Sequence, residues 1–215
     1  MHCGFTFQHY REIIAEALAQ RYRFARFRDA EAVPADERLL LMRHDIDFLP
    51  RGALRFAEIE AGFGVCATYF VRLHARHYNP FELETYQMLK AIREMGHELG
   101  LHYEPEFAML VNEDAQKMLR REKEALERVL DTEIVSASAH NIAQSGQVLG
   151  PEQLAALGLR YETYAAPFFK EMKYLSDSGA RWREGCLCNH LGKYPRIQAL
   201  THPLWWYERS LVENF

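Results

Sequence analysis

Leu39-Leu40-Leu41-Met42-Arg43-His44-Asp45-Ile46-Asp47-Phe48-Leu49-Pro50, residues 39–50, is an apolar run that closes on two aspartates and then a proline. A short apolar run followed by a helix-starting proline predicts a strand from Leu39 to Asp45 and a helix from Pro50 to Ala61. Outward from it, segments rich in β-branched and aromatic residues recur at Ala67 to Val71, His97 to His102, Ile134 to His140, Leu159 to Tyr164, Lys173 to Asp177 and Arg196 to His202. Helical patterns lie between the early ones. Phe81 to Met95 carries Leu83, Tyr86, Met88, Leu89 and Ile92 on one face, and Asp114 to Leu130 carries Met118, Leu119, Leu126 and Leu130 opposite a charged face. Alternating strands and helices predict an α/β fold with a parallel sheet. Phe7 to Tyr22 reads as an extra N-terminal helix, and Ala30 to Glu37, with Pro34, as a linker. No repeat or composition break divides the chain. Residues 1–215 are therefore expected to form a single domain: helix and linker to 37, the body over 38–203, and a tail over 204–215.

In parallel α/β folds the chemistry collects at the carboxyl ends of the strands. Here those ends carry Asp45 and Asp47, His102, His140, Asp177 and His202. Carboxylates and imidazoles gathered there suit a divalent metal with acid and base partners. Asp45 and Asp47 are two residues apart, so a regular pleat points both to one side and His44 to the other. Two like charges that close raise one pKa unless a cation stands between them. One Asp can then hold an ion while the other takes a proton from water. A competing reading is that the pair caps the helix at Pro50.

The segments RHDID at 43–47, ATYFV at 67–71, GHELGLHYEPE at 96–106 and THP at 201–203 resemble the polysaccharide deacetylases of carbohydrate esterase family 4, the NodB-like group, in that family's order. The resemblance implies a distorted seven-stranded (β/α) barrel and metal-assisted hydrolysis of an N-acyl group, expected to be N-acetyl, on an amino sugar or glycan precursor for surface polysaccharide. It casts Asp45 as the base, Asp47 and His102 as metal ligands, and His202 as the acid that protonates the departing amine, with Asp177 orienting it. The family's second metal histidine is replaced by Glu106, which follows Pro105, and its Arg-x-Pro motif is missing near His140. The third ligand is therefore His140 or Glu106, with His140 favoured. Zinc is the expected ion, with nickel, cobalt or iron as alternatives. Arg72, Tyr103, Trp205 and Trp206, beside the proposed site, are candidate contacts to a sugar.

The 26 basic and 30 acidic residues leave a net charge of -4 with no basic face, which gives no footing for nucleic acid. No apolar run has the length of a signal peptide or membrane span, so a cytoplasmic protein with a small substrate is expected; oligomeric state is unreadable. Four cysteines are too few for a disulfide framework. Cys186-Leu187-Cys188 lacks both the usual two-residue spacing and a second pair, so it reads as a strand with reduced thiols. Two other functions compete: a metal-free glycosidase using Asp45 with Asp47 or Asp177, and a non-catalytic saccharide-binding homologue.

Overall fold

The computed structural model describes residues 3–215, with only the backbone of residues 143 and 144. Its strands are β1 (Arg23–Phe24), β2 (Leu39–Ile46), β3 (Thr68–Val71), β4 (Glu98–Tyr103), β5 (Ser136–Ala139), β6 (Tyr161–Glu162), β7 (Lys173–Ser176) and β8 (Arg196–Thr201). The helices are α1 (Phe7–Ala19), α2 (Pro50–Gly62), α3 (Leu83–Glu94), α4 (Phe107–Leu110), α5 (Ala115–Leu130), α6 (Ile142–Ser145), α7 (Pro151–Leu157) and α8 (Ala166–Phe169). All the strand pairings are parallel, in the order β6-β5-β4-β3-β2-β8-β7, with β1 added to β2. Gln198 on β8 donates through Nε2 to Thr163 O and Phe168 O, both at 3.0 Å, beyond β6 at the far edge. The sheet thus curls into an incomplete barrel whose open side is bridged from within.

Alternation along β2 sets both faces. Leu40, Met42 and Ile46 join the larger core under the helices, while Leu39 and Leu41 join a second core inside the barrel with Phe27, Phe70 and Phe168. Phe27 meets Phe70 and Phe168 edge-on at 5.8 and 5.0 Å, closing the amino end of the barrel. Gly100 on β4 is required by this packing. A Cβ there would lie 2.5 Å from the Phe70 ring. Further along the same inward row of β2 come Arg43 and Asp45, so the interior passes from apolar plug to charged site within one strand.

The seven strands read from the sequence are all present, their ends shifted by at most two residues, with β2 and β4 each running one residue further, to Ile46 and Tyr103. The linker reading of residues 30–37 missed what precedes it: Arg23 and Phe24 pair with Leu39 and Leu40, using the part of β2 that β3 leaves unpaired. Two residues are too short a signal for periodicity. The N-terminal helix stops at Ala19 rather than Tyr22 because Arg21 takes a left-handed conformation, φ 63°. Phe81 lies outside α3, which begins at Leu83 where the Glu82 carboxylate accepts from Glu84 N and Thr85 N. Cys186-Leu187-Cys188 is a 3₁₀ turn over Leu187–Asn189, not a strand.

Candidate active site and metal centre

Asp47, His102 and His140 place one carboxylate oxygen and two ring nitrogens within 4.8 Å of one another. Each stands at or just past the carboxyl end of a strand: Asp47 after β2, His102 within β4, and His140 after β5, where its N–H donates to Tyr103 O at 2.7 Å. His102 Nδ1 is 2.9 Å from Ser138 O. A carbonyl can only accept, so the Nδ1 carries the hydrogen and Nε2 turns a lone pair toward Asp47 Oδ1, 3.3 Å away. His140 Nδ1 lies 3.1 Å from the same oxygen and 3.1 Å from His102 Nε2. Asp47 Oδ1 is buried and accepts no well-formed hydrogen bond. An orphaned anionic oxygen facing the His102 lone pair, with a second imidazole nitrogen beside both, fits a divalent cation, and one carboxylate with two imidazoles leaves a further position open, as catalytic zinc sites do.

Asp45 is beside this group, with Oδ2 3.6 Å from His102 Nε2. It is held from below by Arg43, whose Nε and Nη2 donate to its two oxygens at 2.9 and 2.7 Å. Arg43 is fully buried, donates also to Ser138 Oγ at 2.5 Å and Tyr164 Oη at 3.1 Å, and lies 4.6 Å over the Tyr164 ring. Burial alone would raise the Asp45 carboxyl, but the Arg43 guanidinium outweighs it and keeps the group below the usual carboxylate range.

His202 follows β8 across the site, its Nε2 3.9 Å from Asp47 Oδ2. Its Nδ1 is 2.6 Å from Asp177 Oδ1, and its backbone N–H also donates to that carboxylate. Trp206 Nε1 donates to the other Asp177 oxygen at 2.8 Å. Burial pulls the imidazole down, yet the Asp177 charge and hydrogen bond prevail and push it up to about 9. A protonated imidazole with one nitrogen fixed and the other facing the site is arranged as a proton donor.

Asp45, Asp47, His102, His140 and His202 line one cavity of about 510 Å³, whose walls include Tyr164, Tyr174, Trp182 and Trp205. The remaining sequence candidates lie elsewhere. Glu106 is not among the group that converges on Asp47, because the chain turns at Pro105–Glu106 and Glu106 opens α4. Tyr103 requires correction as a sugar contact: it is 1% exposed on the helix-facing side of β4, and its hydroxyl accepts from Leu149 N at 2.9 Å. Arg72 forms a bidentate pair with Glu104, both bonds 2.8 Å, away from the cavity lining. His44 faces the helices, as its alternation requires, bonding Glu60 Oε1 at 2.8 Å and Thr201 Oγ1 at 2.6 Å.

No protein-family model and no curated protein matches the sequence. Solved structures do. A mutant of BA3943, a CE4 family pseudoenzyme from Bacillus anthracis with restored enzymatic activity, superposes with a TM-score of 0.53 at 14% identity over 79% of this chain, which spans 58% of that one. IcaB from Ammonifex degensii gives 0.52 at 14% identity, covering 72% of this chain and 74% of its own. A family 4 carbohydrate esterase from Bacillus anthracis gives 0.50 at 14%, covering 88% and 76%. The chain has the fold of the family 4 carbohydrate esterases. Within that fold, sequence reasoning overlooked Arg43 and Ser138, and it read Trp206 as a sugar contact where the structure makes it a donor to Asp177 outside the cavity lining. Arg43 was open to inference, since residues 43, 45 and 47 share a face of one strand and a buried carboxylate needs a cation. Ser138 is joined to the site only by folding, and nothing in its local sequence marks it.

Proposed function

We propose that this cavity hydrolyses the N-acyl group, most simply N-acetyl, of an amino sugar or glycan precursor, with a divalent ion held by Asp47, His102 and His140. The observation that carries the reading is the division of labour in one cavity: a three-ligand group, a carboxylate beside it and a carboxylate-held imidazole across from it. A bound ion supplies Lewis acidity, polarising the acyl oxygen and acidifying water. Zinc is the default for this donor set, although nickel, cobalt and iron accept it too. Asp45 accepts the proton of the attacking water, and Arg43 keeps it ionised and correctly turned. His202 delivers a proton to the departing nitrogen, with Asp177 and Trp206 holding the ring. The aromatic walls offer stacking faces for a sugar ring, with Trp205 the nearest in sequence to the acid.

The metal-free glycosidase reading finds less support. Asp177 is fully buried and engaged by His202 and Trp206, while both Asp45 oxygens are taken by Arg43. Arg43 keeps Asp45 ionised, Asp47 faces His102 and His140, and Asp177 is tied to His202 and Trp206, so none of the three stands as the protonated acid that a glycosidic bond requires.

The test measures acetate and formate release from a panel of N-acylated sugars and nucleotide sugars, with and without chelator, beside the metal content of variants. Asp47→Ala and His140→Ala should each hold one equivalent of metal fewer than wild type and release no acid, and Glu106→Ala should match wild type in metal. Release that persists after chelation sinks the proposal. Saccharide binding without release by metal-loaded protein would establish the non-catalytic alternative.

A further inference from the structure

Three of the four cysteines meet at one place far from β2 in sequence. Cys3, His9, Cys186 and Cys188 bring three sulfurs and an imidazole nitrogen within 4.8 Å of one another. Cys3 Sγ is 3.5 Å from Cys188 Sγ, and His9 Nε2 is 3.2 Å from Cys186 Sγ. A disulfide would need sulfurs at about 2.05 Å. Ligands about 2.0–2.3 Å from a tetrahedral zinc are instead separated by roughly 3.4–3.8 Å, the spacing these pairs approach. The histidine is prepared for such a role. Thr6 caps α1 by accepting from His9 N at 3.1 Å, the ring is buried, and its Nδ1 lies 3.3 Å from Glu12 Oε2. A carboxylate on one imidazole nitrogen, with the other aimed at thiols, is the tautomer-fixing arrangement found behind metal-bound histidines.

We propose that Cys3, His9, Cys186 and Cys188 form a second, structural zinc site. Four protein ligands close the coordination sphere, so this ion does no chemistry; soft thiolates select zinc over magnesium or calcium. Binding releases the three thiol protons to solvent. Cys3 is the exposed, outermost ligand of the four. The consequence reaches the catalytic cavity, because residues 182–185, which immediately precede Cys186, form part of its wall. Phe5, between Cys3 and His9, stacks on Trp182 with centroids 6.4 Å apart and meets Trp206 edge-on at 5.3 Å. The ion therefore clamps the N-terminal segment against the wall that Trp182 contributes.

The experiment uses untagged full-length protein produced with zinc, and the same protein exchanged with cobalt. Wild type and Asp47→Ala/His102→Ala should both show the near-ultraviolet absorption of thiolate-to-cobalt charge transfer, a band that requires sulfur ligands and is blind to the Asp47 site. Asp47→Ala/His102→Ala should retain one equivalent of zinc. Cys186→Ser/Cys188→Ser should lack the band and one equivalent relative to wild type, and Cys3→Ser should weaken both. Chelation should lower the melting temperature of Asp47→Ala/His102→Ala, but not that of a protein carrying the cysteine substitutions as well. Absence of the band in cobalt-loaded wild type, free titration of all thiols in zinc-replete protein, or a Cys3–Cys188 disulfide in protein isolated with zinc would each overturn the assignment.

Discussion

Replacing Arg43 by Met keeps an unbranched side chain of similar length but removes the cation that lies under Asp45. The guanidinium is fully buried, and it gives the 2%-exposed Asp45 both of its Arg hydrogen bonds, at 2.9 and 2.7 Å. Breaking a buried pair from one side costs about 3–5 kcal/mol, because the remaining charge stays desolvated and unpaired. For a chain of this length that is roughly 6–20 °C of melting temperature. Losing Ser138 Oγ and Tyr164 Oη as partners acts in the same direction. Asp45 has a second way out: it can take up a proton, since burial pushes it up once Arg43 is gone. Arg43→Met should then be less destabilised at mildly acidic pH than at neutral pH. The decisive comparison is a double-mutant cycle in denaturant with Asp45→Asn. Arg43→Met/Asp45→Asn should be less destabilised than the two single costs added, by about 2 kcal/mol or more. Strict additivity, or a melting temperature for Arg43→Met within about 2 °C of wild type, would refute the view that Arg43 is held there to neutralise Asp45.

Other perturbations follow from the same geometry. Asp177→Asn removes the charge that lifts His202 to about 9; an acid must be protonated to act, so activity falls as pH rises through its pKa, and this alkaline limb should move toward about 6.5. An unmoved limb in kcat/KM would take His202 out of the acid's role. Gly100→Ala forces a Cβ to 2.5 Å from Phe70 and should cost about 1–3 kcal/mol in chemical denaturation, largely recovered by Phe70→Leu. Burial opposes ionisation of Glu60, but the neighbouring His44 outweighs it and lowers its pKa, so its contribution to stability is present above about pH 4.3 and is lost as pH falls through the lowered value. Glu60→Gln should therefore cost about 2 kcal/mol near neutral pH and flatten the acid limb of a stability profile. Tyr103→Phe, on the face turned from the cavity, should leave kcat/KM within about twofold, and a tenfold loss would contradict its placement.

Legibility followed sequence separation. Residues 39–47 disclose their role because strand alternation and the carboxyl-end rule are local: the same pleat that buries Leu39 and Leu41 in the barrel delivers Asp45 to its mouth. His102, Asp177 and His202 could be named one by one as strand-end residues for the same reason. Their mutual geometry could not, since it depends on how far the sheet curls.

Sequence alone therefore determined the parallel α/β architecture, its strands other than β1 and the residue types at their carboxyl ends, all of which follow from periods of a few residues. Tertiary structure decided what those ends meet. It brought His140 rather than Glu106 to Asp47, because β4 and β5 are neighbours while Pro105 turns the chain away from the cavity. It set Arg43 beneath Asp45 and Trp206 behind Asp177. It also gave Cys186 and Cys188 partners from Cys3 and His9, well over a hundred residues away. The physical reason is common to all of these: a lone carboxylate, imidazole or thiol is ambiguous until packing fixes which groups share its desolvated surroundings.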